Sequence, residues 1–306
     1  MEGSDNELVF QPHTSSDSEA IVAMVNRDPF HMLNGITVAE FERDLDEPGE
    51  RARDHTFVVR ISGKTAGYLS LCFVAAESHS KVYCYGTVDQ DFRRRGIGTA
   101  MFRFIFTRLD GLARREGKPI RFIHRAITSI PGETGLGIRF GMREQHILEV
   151  LCLRGTDERA SSQPMPGLQF RAPTVSDAAL WADIYNKAFG GSKKPESVVY
   201  EFRGSDFSPK LYVLAVNEAG EPVGFVCSSV KGSRGRIPTI AVKPEWQRRG
   251  IGEALLTEIL RRLKQEGAEE IRLSVDSRND AAKALYGKRG FRLDYKRIHY
   301  EAEFLP

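Results

Sequence analysis

Arg93-Arg94-Arg95-Gly96-Ile97-Gly98 and Gln247-Arg248-Arg249-Gly250-Ile251-Gly252 are two readings of one motif, separated by an offset of 154 (Gly96 to Gly250). Each follows an apolar run that ends in a valine, Val88 or Val242. Each opens a helical pattern. Met101, Phe102, Ile105, Phe106 and Leu109 recur as Leu255, Leu256, Ile259, Leu260 and Leu263, again offset by 154. That spacing is one apolar stripe on an amphipathic helix, which is core packing rather than chemistry. Strand, glycine turn and helix start together form a place to hold a phosphate, and here it occurs twice.

The repeat extends outward from the glycines. Leu8-Val9-Phe10 matches Leu168-Gln169-Phe170, Gly63 to Leu69 matches Gly220 to Val226, and Gly141-Met142-Arg143 matches Gly290-Phe291-Arg292. The offsets drift through 160, 157 and 149, as loop insertions and deletions produce in a duplicated domain. Residues 155–167 include the polar, aperiodic run Gly155 to Pro164 and read as a linker. The expected domains are therefore 1–154 and 168–306. In each, a short strand and capped helices lead to a hairpin: Thr56 to Ile61 with Ala66 to Phe73, and Leu211 to Asn217 with Val223 to Val230. A strand follows the glycine-turn helix in each, at Ile120 to Ile127 and Glu270 to Val275.

Composition sets outer bounds. A chain of 306 residues, 41% hydrophobic and 28% charged, has the make-up of an ordinary globular protein large enough for two cores. A net charge of +3 does not call for a nucleic-acid partner, and no apolar run reaches the roughly 20 residues that span a bilayer. The N-terminus is acidic and polar, unlike a secretory signal. Cys72, Cys84, Cys152 and Cys227 form no C-x-x-C pair, and three lie in apolar runs. They read as buried thiols, so neither disulfides nor a metal site is expected, and a reducing cytoplasm is the default.

A helix start leaves backbone N–H groups without intrahelical partners and carries partial positive charge. Glycine lets an anion approach that backbone, and Arg93 to Arg95 or Arg248 and Arg249 add charge at the same edge. A pyrophosphate suits such a turn. A plain strand-to-helix turn with solvated arginines would look the same over these few residues. A Rossmann turn needs a third glycine, where Met101 and Leu255 stand, and a Walker loop needs G-K-[ST], which is absent.

The second copy continues as Ala241-Val242-Lys243-Pro244-Glu245-Trp246, the turn, then Asn279 to Tyr286 and Gly290-Phe291. That order resembles the GNAT superfamily of acyl-CoA-dependent N-acetyltransferases across essentially all of residues 168 to 306. Residues 1 to 153 resemble the same fold with a weaker ending, so the layout is similar to that of the superfamily's tandem members. The resemblance implies an α/β (α+β) architecture of two domains, each a mostly antiparallel mixed sheet flanked by helices. It implies acetyl-CoA as cofactor and a small-molecule amine as partner. Backbone groups of Ile240, Ala241 and Val242 would hold the pantetheine arm, and Gln247, Arg248, Arg249, Gly250, Ile251, Gly252 and Glu253 the pyrophosphate. Asn279 would lie along the coenzyme and Tyr286 near the sulfur. In copy one the corresponding positions are Val88, Arg93, Arg94, Arg95, Gly96, Ile97, Gly98 and Thr99.

Acyl transfer from a thioester needs a neutral amine, a donor for the oxyanion and a proton for the thiolate. The Val242 backbone N–H suits the oxyanion, and the Tyr286 hydroxyl suits the proton. From helix pattern alone Tyr286 is equally a core residue beside Leu285. No carboxylate stands on the strand before either turn. Asp276, Glu201, Asp206 and His299 are the remaining candidate bases, and none is singled out. At an offset of 149, Ile130 stands opposite Asn279 and Gly137 opposite Tyr286. Copy one is therefore expected to be structural, to shape the substrate or to bind coenzyme without turnover, with copy two as the catalyst. Tyr83, Tyr85 and His124 are substrate-facing or core. Two further readings stay open: transfer to a protein or peptide amine, and a non-catalytic acyl-CoA sensor. Oligomeric state is not legible, and a monomer suits a tandem chain.

Overall fold

The computed structural model describes residues 7–28, 35–76, 78–130, 132–155, 165–204 and 207–306. The N-terminal run Met1 to Asn6, residues 156–164 of the expected linker and the candidate base Asp206 lie outside them. Among the described residues no helix is long and apolar enough to cross a membrane.

The chain forms two compact units, Met1–His146 with Arg297–Pro306, and Ile147–Lys296. These units do not follow the two sequence copies. In unit 1 the strands are β1 (Leu8–Pro12), β2 (Thr56–Ile61), β3 (Lys64–Ala75), β4 (Ser80–Val88) and β5 (Ile120–Ile127). Helices α1 (Ser18–Arg27), α2 (Val38–Leu45), α3 (Ile97–Glu116) and α4 (Glu133–Arg139) complete it. Strand β6 (Arg143–Arg154) then runs out of unit 1 into unit 2. Unit 2 contains β7 (Gln169–Arg171), α5 (Ala178–Phe189), α6 (Pro195–Arg203), β8 (Tyr212–Val216), β9 (Pro222–Lys231), β10 (Arg234–Val242), α7 (Ile251–Gln265), β11 (Glu270–Asp276) and α8 (Asp280–Lys288). Strand β12 (Arg292–Phe304) crosses back.

The crossing strands are exchanged. Residues Leu148 to Arg154 of β6 pair antiparallel with Asp276 to Glu270 of β11, closing the sheet of unit 2. Residues Arg297 to Phe304 of β12 pair antiparallel with Ile127 to Ile120 of β5, closing the sheet of unit 1. The boundaries read from the sequence, 154 and 168, thus mark where the copies end, while each copy's last strand belongs to the other unit's sheet. Unit 1 has the order β1-β2-β3-β4-β5-β12 and unit 2 the order β6-β11-β10-β9-β8-β7. Only β4 with β5 and β10 with β11 run parallel within these sheets; every other pair is antiparallel.

The helices cover both faces of each sheet. In unit 1, α3 buries Met101, Phe102, Ile105, Leu109 and Leu112 against Leu69, Leu71, Val82 and Phe122. On the other face α1 and α2 bury Ile21, Val25 and Phe41 against Val58, Tyr68 and Cys72. In unit 2, α7 buries Leu255, Leu256, Ile259, Leu260 and Leu263, each at most 1% exposed. Trp181 of α5 stacks on Phe225, ring centroids 3.8 Å apart, on the opposite face.

Helix α4 shows why its glycines are there. A Cβ on Gly137 would lie 2.7 Å from two ring atoms of Tyr300. Tyr300 is buried on the exchanged part of β12. Gly137, an interior glycine that costs helix propensity, is required by the packing of that ring.

Candidate active site

The two glycine turns are built alike. Gly96 and Gly250 cap α3 and α7 with φ of 81° and 82°, conformations that suit glycine. Arg94 and Arg248 two residues earlier are also left-handed, at 64° and 59°. A non-glycine residue held there twice is strain kept at a functional turn. The first intrahelical bonds run from Ala100 N to the Gly96 carbonyl and from Ala254 N to the Gly250 carbonyl, both 3.0 Å. The amides of Ile97, Gly98 and Thr99, and of Ile251, Gly252 and Glu253, are left with no intrahelical partner. Arg95 lies over Phe92 at 5.4 Å, and Arg249 over Trp246 at 4.8 Å.

In front of each turn the parallel strands part. The β4–β5 ladder covers only Ser80 to Tyr83 against Ile120 to Ile123, and the β10–β11 ladder only Arg234 to Ile237 against Glu270 to Leu273. A register shift between Arg236 and Thr239 marks the divergence in β10. Lys243 N donates to the Val223 carbonyl at 3.0 Å, on the β9 side. By strand alternation the Val242 and Ile240 amides face the opposite side, into the gap. Ala241 alternates toward β9, and its side chain is buried under α5. In unit 1, Asp89 N donates to the Ala66 carbonyl at 2.9 Å, which turns the Val88 amide into the gap there. The gap is strand-shaped and lies beside a helix start whose first amides have no intrahelical partner.

The side chains of Gln247 and Arg93 have a structural task. Gln247 Nε2 donates to the Val242 carbonyl, and Arg93 Nε to the Val88 carbonyl, each at 3.0 Å. Both tie the turn back to the strand it leaves. Arg93 also pairs with the buried Asp28 at 2.8 Å.

Beyond the turns the units differ. Unit 1 holds a cavity of about 490 Å³, bounded by Gly86 to Val88, Arg93, Arg94, Gly96 to Thr99, His124, Arg125, Gly132, Glu133 and Arg139 among others. Glu133 of α4 lines it, and burial pushes its carboxyl up to about 7. Its Oε2 accepts from the Ile127 amide at 2.6 Å. His124, held down to about 4 by burial, meets the Glu133 carbonyl at 3.0 Å. His124 and Tyr300 stack at 6.3 Å. Glu133 lies after β5, away from the strand that precedes the turn. Its glycine-flanked position on α4 carried no periodic signal. Cys84 also lines the cavity, but burial pushes its thiol up to about 12, so it is no nucleophile.

In unit 2, Tyr286 of α8 packs edge-on against Phe291 at 5.9 Å, and burial raises its hydroxyl to about 12. It stays protonated across the working range. Asn279 caps α8, its Oδ1 accepting from Ala282 N at 3.0 Å. Glu253, on the first turn of α7, pairs with buried Arg289 at 3.0 Å. In unit 1, Arg139 reaches Thr99 Oγ1 in the same manner at 3.2 Å.

The candidate bases do not gather around Tyr286. Asp276 is held by Arg278 through Nε and Nη2 at 3.0 and 2.8 Å. Glu201 is paired with Lys193 at 2.6 Å. His299 lies on the exchanged part of β12, in unit 1, opposite Arg125, and burial holds it down to about 3. Its place in the second sequence copy made it look like a neighbour of Tyr286; strand exchange puts it elsewhere.

Paired parallel strands that splay over a glycine-capped, cationic helix start define an acyl-coenzyme transferase fold, present twice. The pattern of the Acetyltransferase (GNAT) family matches residues 21–118 and 178–291, so the chain belongs to that family and is a tandem acetyltransferase. It is 30% identical over 229 residues to a mycothiol acetyltransferase of Clavibacter michiganensis subsp. michiganensis, covering 72% of each chain. A GCN5-related N-acetyltransferase from Sphaerobacter thermophilus has a similar fold, with TM-score 0.72 at 22% identity over 98% of this chain and 96% of that one. A tandem GNAT protein from the clavulanic acid biosynthesis pathway gives TM-score 0.73 at 17% identity, covering 98% and 99%.

Proposed function

We propose that the chain transfers an acetyl group from acetyl-CoA to a primary amine of a small molecule, with the chemistry in unit 2. The pantetheine arm would lie along Ile240 to Val242, and the pyrophosphate on the amides of Ile251 to Glu253. The neutral amine attacks the thioester carbonyl and the Val242 amide donates to the oxyanion. As the C–S bond breaks, Tyr286 gives its proton to the departing thiolate, and the proton lost by the new amide nitrogen returns, through solvent, to the tyrosinate. The observation that carries this reading is the Val242 amide facing the gap in the unit whose helix α8 also bears a protonated tyrosine. Relatives named mycothiol acetyltransferase support a small-molecule acceptor.

Unit 1 has the same turn and gap without that tyrosine, and we read it as a second coenzyme site. Its cavity and Glu133 favour a second reading, in which unit 1 also turns over. Thiol release from acetyl-CoA with a panel of amines separates the two. Tyr286→Phe is expected to lower kcat by about 100-fold or more while coenzyme affinity changes little. Full activity in Tyr286→Phe together with loss in Gly98→Glu would move the chemistry to unit 1. Tight coenzyme binding with no turnover for any amine would make the protein a sensor.

A further inference from the structure

Unit 1 carries a cation that the acyl-transfer scheme leaves unused. Arg125 of β5 lies over two rings of β4, with its guanidinium carbon 4.4 Å from the Tyr85 centroid and 5.1 Å from that of Tyr83. Its Nε is buried and makes no hydrogen bond. Among the described residues no carboxylate comes within ion-pair distance of it. Glu50 is the carboxyl whose field reaches it. Glu50 is itself hydrogen-bonded with the Cys72 thiol, and burial favours its protonated form.

A second buried group without a partner stands beside Arg125. His299 is its register partner on β12, is 9% exposed, and its Nε2 makes no hydrogen bond. His146 lies against the His299 ring at 4.2 Å. Arg297, two residues away on β12, alternates to the same face as Arg125. Two arginines and two imidazoles share this face; Glu301, two residues beyond His299, alternates to it as well and is paired with Arg143 at 3.9 Å, and Glu50 is held by a thiol.

Arg125 also bounds the cavity that the first glycine turn bounds. The cavity therefore has cations in two places, at Arg94 of the turn and again at Arg125, while Arg93 is held by Asp28, which also lines it. A guanidinium held over aromatic rings keeps its N–H fork available to a carboxylate. A lone ammonium group would be repelled there. An amine that also carries a carboxylate would not, nor would an acyl group ending in one.

We propose that unit 1 receives a carboxylate at Arg125, carried by an amine bound beside the coenzyme of that unit or by the acyl group of the coenzyme thioester. This rests on the reading that the turn of unit 1 holds coenzyme A. Calorimetric titration of the full chain tests it in two arms. In one, succinyl-CoA is compared with valeryl-CoA. In the other, with coenzyme A saturating, L-leucine is compared with L-leucinamide. One acid is expected to bind about 10-fold or more tightly than its neutral counterpart, the scale of a hydrogen-bonded charge pair. The arm in which this happens identifies the carrier. Arg125→Met, which keeps the stem over the tyrosines, should abolish that preference, and Arg125→Lys should keep part of it. Equal binding within both pairs, or a preference that survives in Arg125→Met, overturns the proposal. Coenzyme A stoichiometry tests the underlying reading separately. A stoichiometry that Gly98→Glu leaves unchanged would overturn that reading and leave a measured acid preference standing.

Discussion

Replacing Gly137 by alanine sets two effects of opposite sign against each other. Helix propensity favours alanine over an interior glycine by about 1 kcal/mol. Packing opposes it. The new methyl carbon would lie 2.7 Å from Cγ and Cδ2 of Tyr300 and 3.1 Å from Cδ1. The ring is 6% exposed and lies over His124, so it has little room to retreat. Overpacking of this kind costs about 1–3 kcal/mol. The net expectation is destabilisation by up to about 2 kcal/mol, which lowers the midpoint of thermal unfolding by as much as roughly 8 °C for a unit of this size. The decisive comparison is the same change made in a Tyr300→Leu background, followed by circular dichroism. With the ring gone, Gly137→Ala should be neutral or stabilising, giving a coupling of about 1 kcal/mol or more between the two positions. A higher midpoint for Gly137→Ala in the wild-type chain, or the same effect in both backgrounds, would refute the packing of the last strand's ring against α4.

Two further outcomes follow from the site. Glu133 has a folded pKa of about 7 against an ordinary 4.5, so its ionised form is disfavoured in the fold and stability falls as pH rises between those values. Glu133→Gln, which keeps an oxygen for the Ile127 amide, should therefore stabilise unit 1 by about 2 kcal/mol at pH 8. That gain should vanish near pH 4, and urea denaturation at the two pH values measures it. Gly250→Ala meets only Met165 Cε at 3.9 Å, so its cost of about 1 kcal/mol comes from the left-handed φ of 82° rather than from crowding. Weaker coenzyme binding in unit 2 should accompany it in calorimetry, and unchanged affinity would show that the turn does not need its shape.

The turns were the most legible part of the sequence. Glycine spacing, the valine before it and the apolar stripe after it are local features, and the structure forms both turns from them. Other features depend on distant residues and left little trace. The exchange of β6 and β12 is a choice between two sheets, and an alternating strand such as Arg292 to Phe304 suits either. Gly137 reads as a flaw in a helix until Tyr300, far along the chain, is placed against it. Gln247 and Arg93 read as ligands for the coenzyme, while their side chains tie the turn to the carbonyls of Val242 and Val88. Glu133 carries no pattern at all; only the fold that buries it gives it a shifted proton affinity.

The exchanged strands also bear on how such a gene can be divided. A cut between the copies would give two polypeptides, each with a complete set of its own helices and each lacking the strand that closes its sheet. The first would expose the edge of β5 while carrying the strand made for β11, and the second the reverse. An exposed edge backed by an apolar face pairs with whatever strand it meets. Fission therefore costs each half the closing ladder it has in the full chain, and a separated half must fold its own last strand back onto its own sheet to cover that edge.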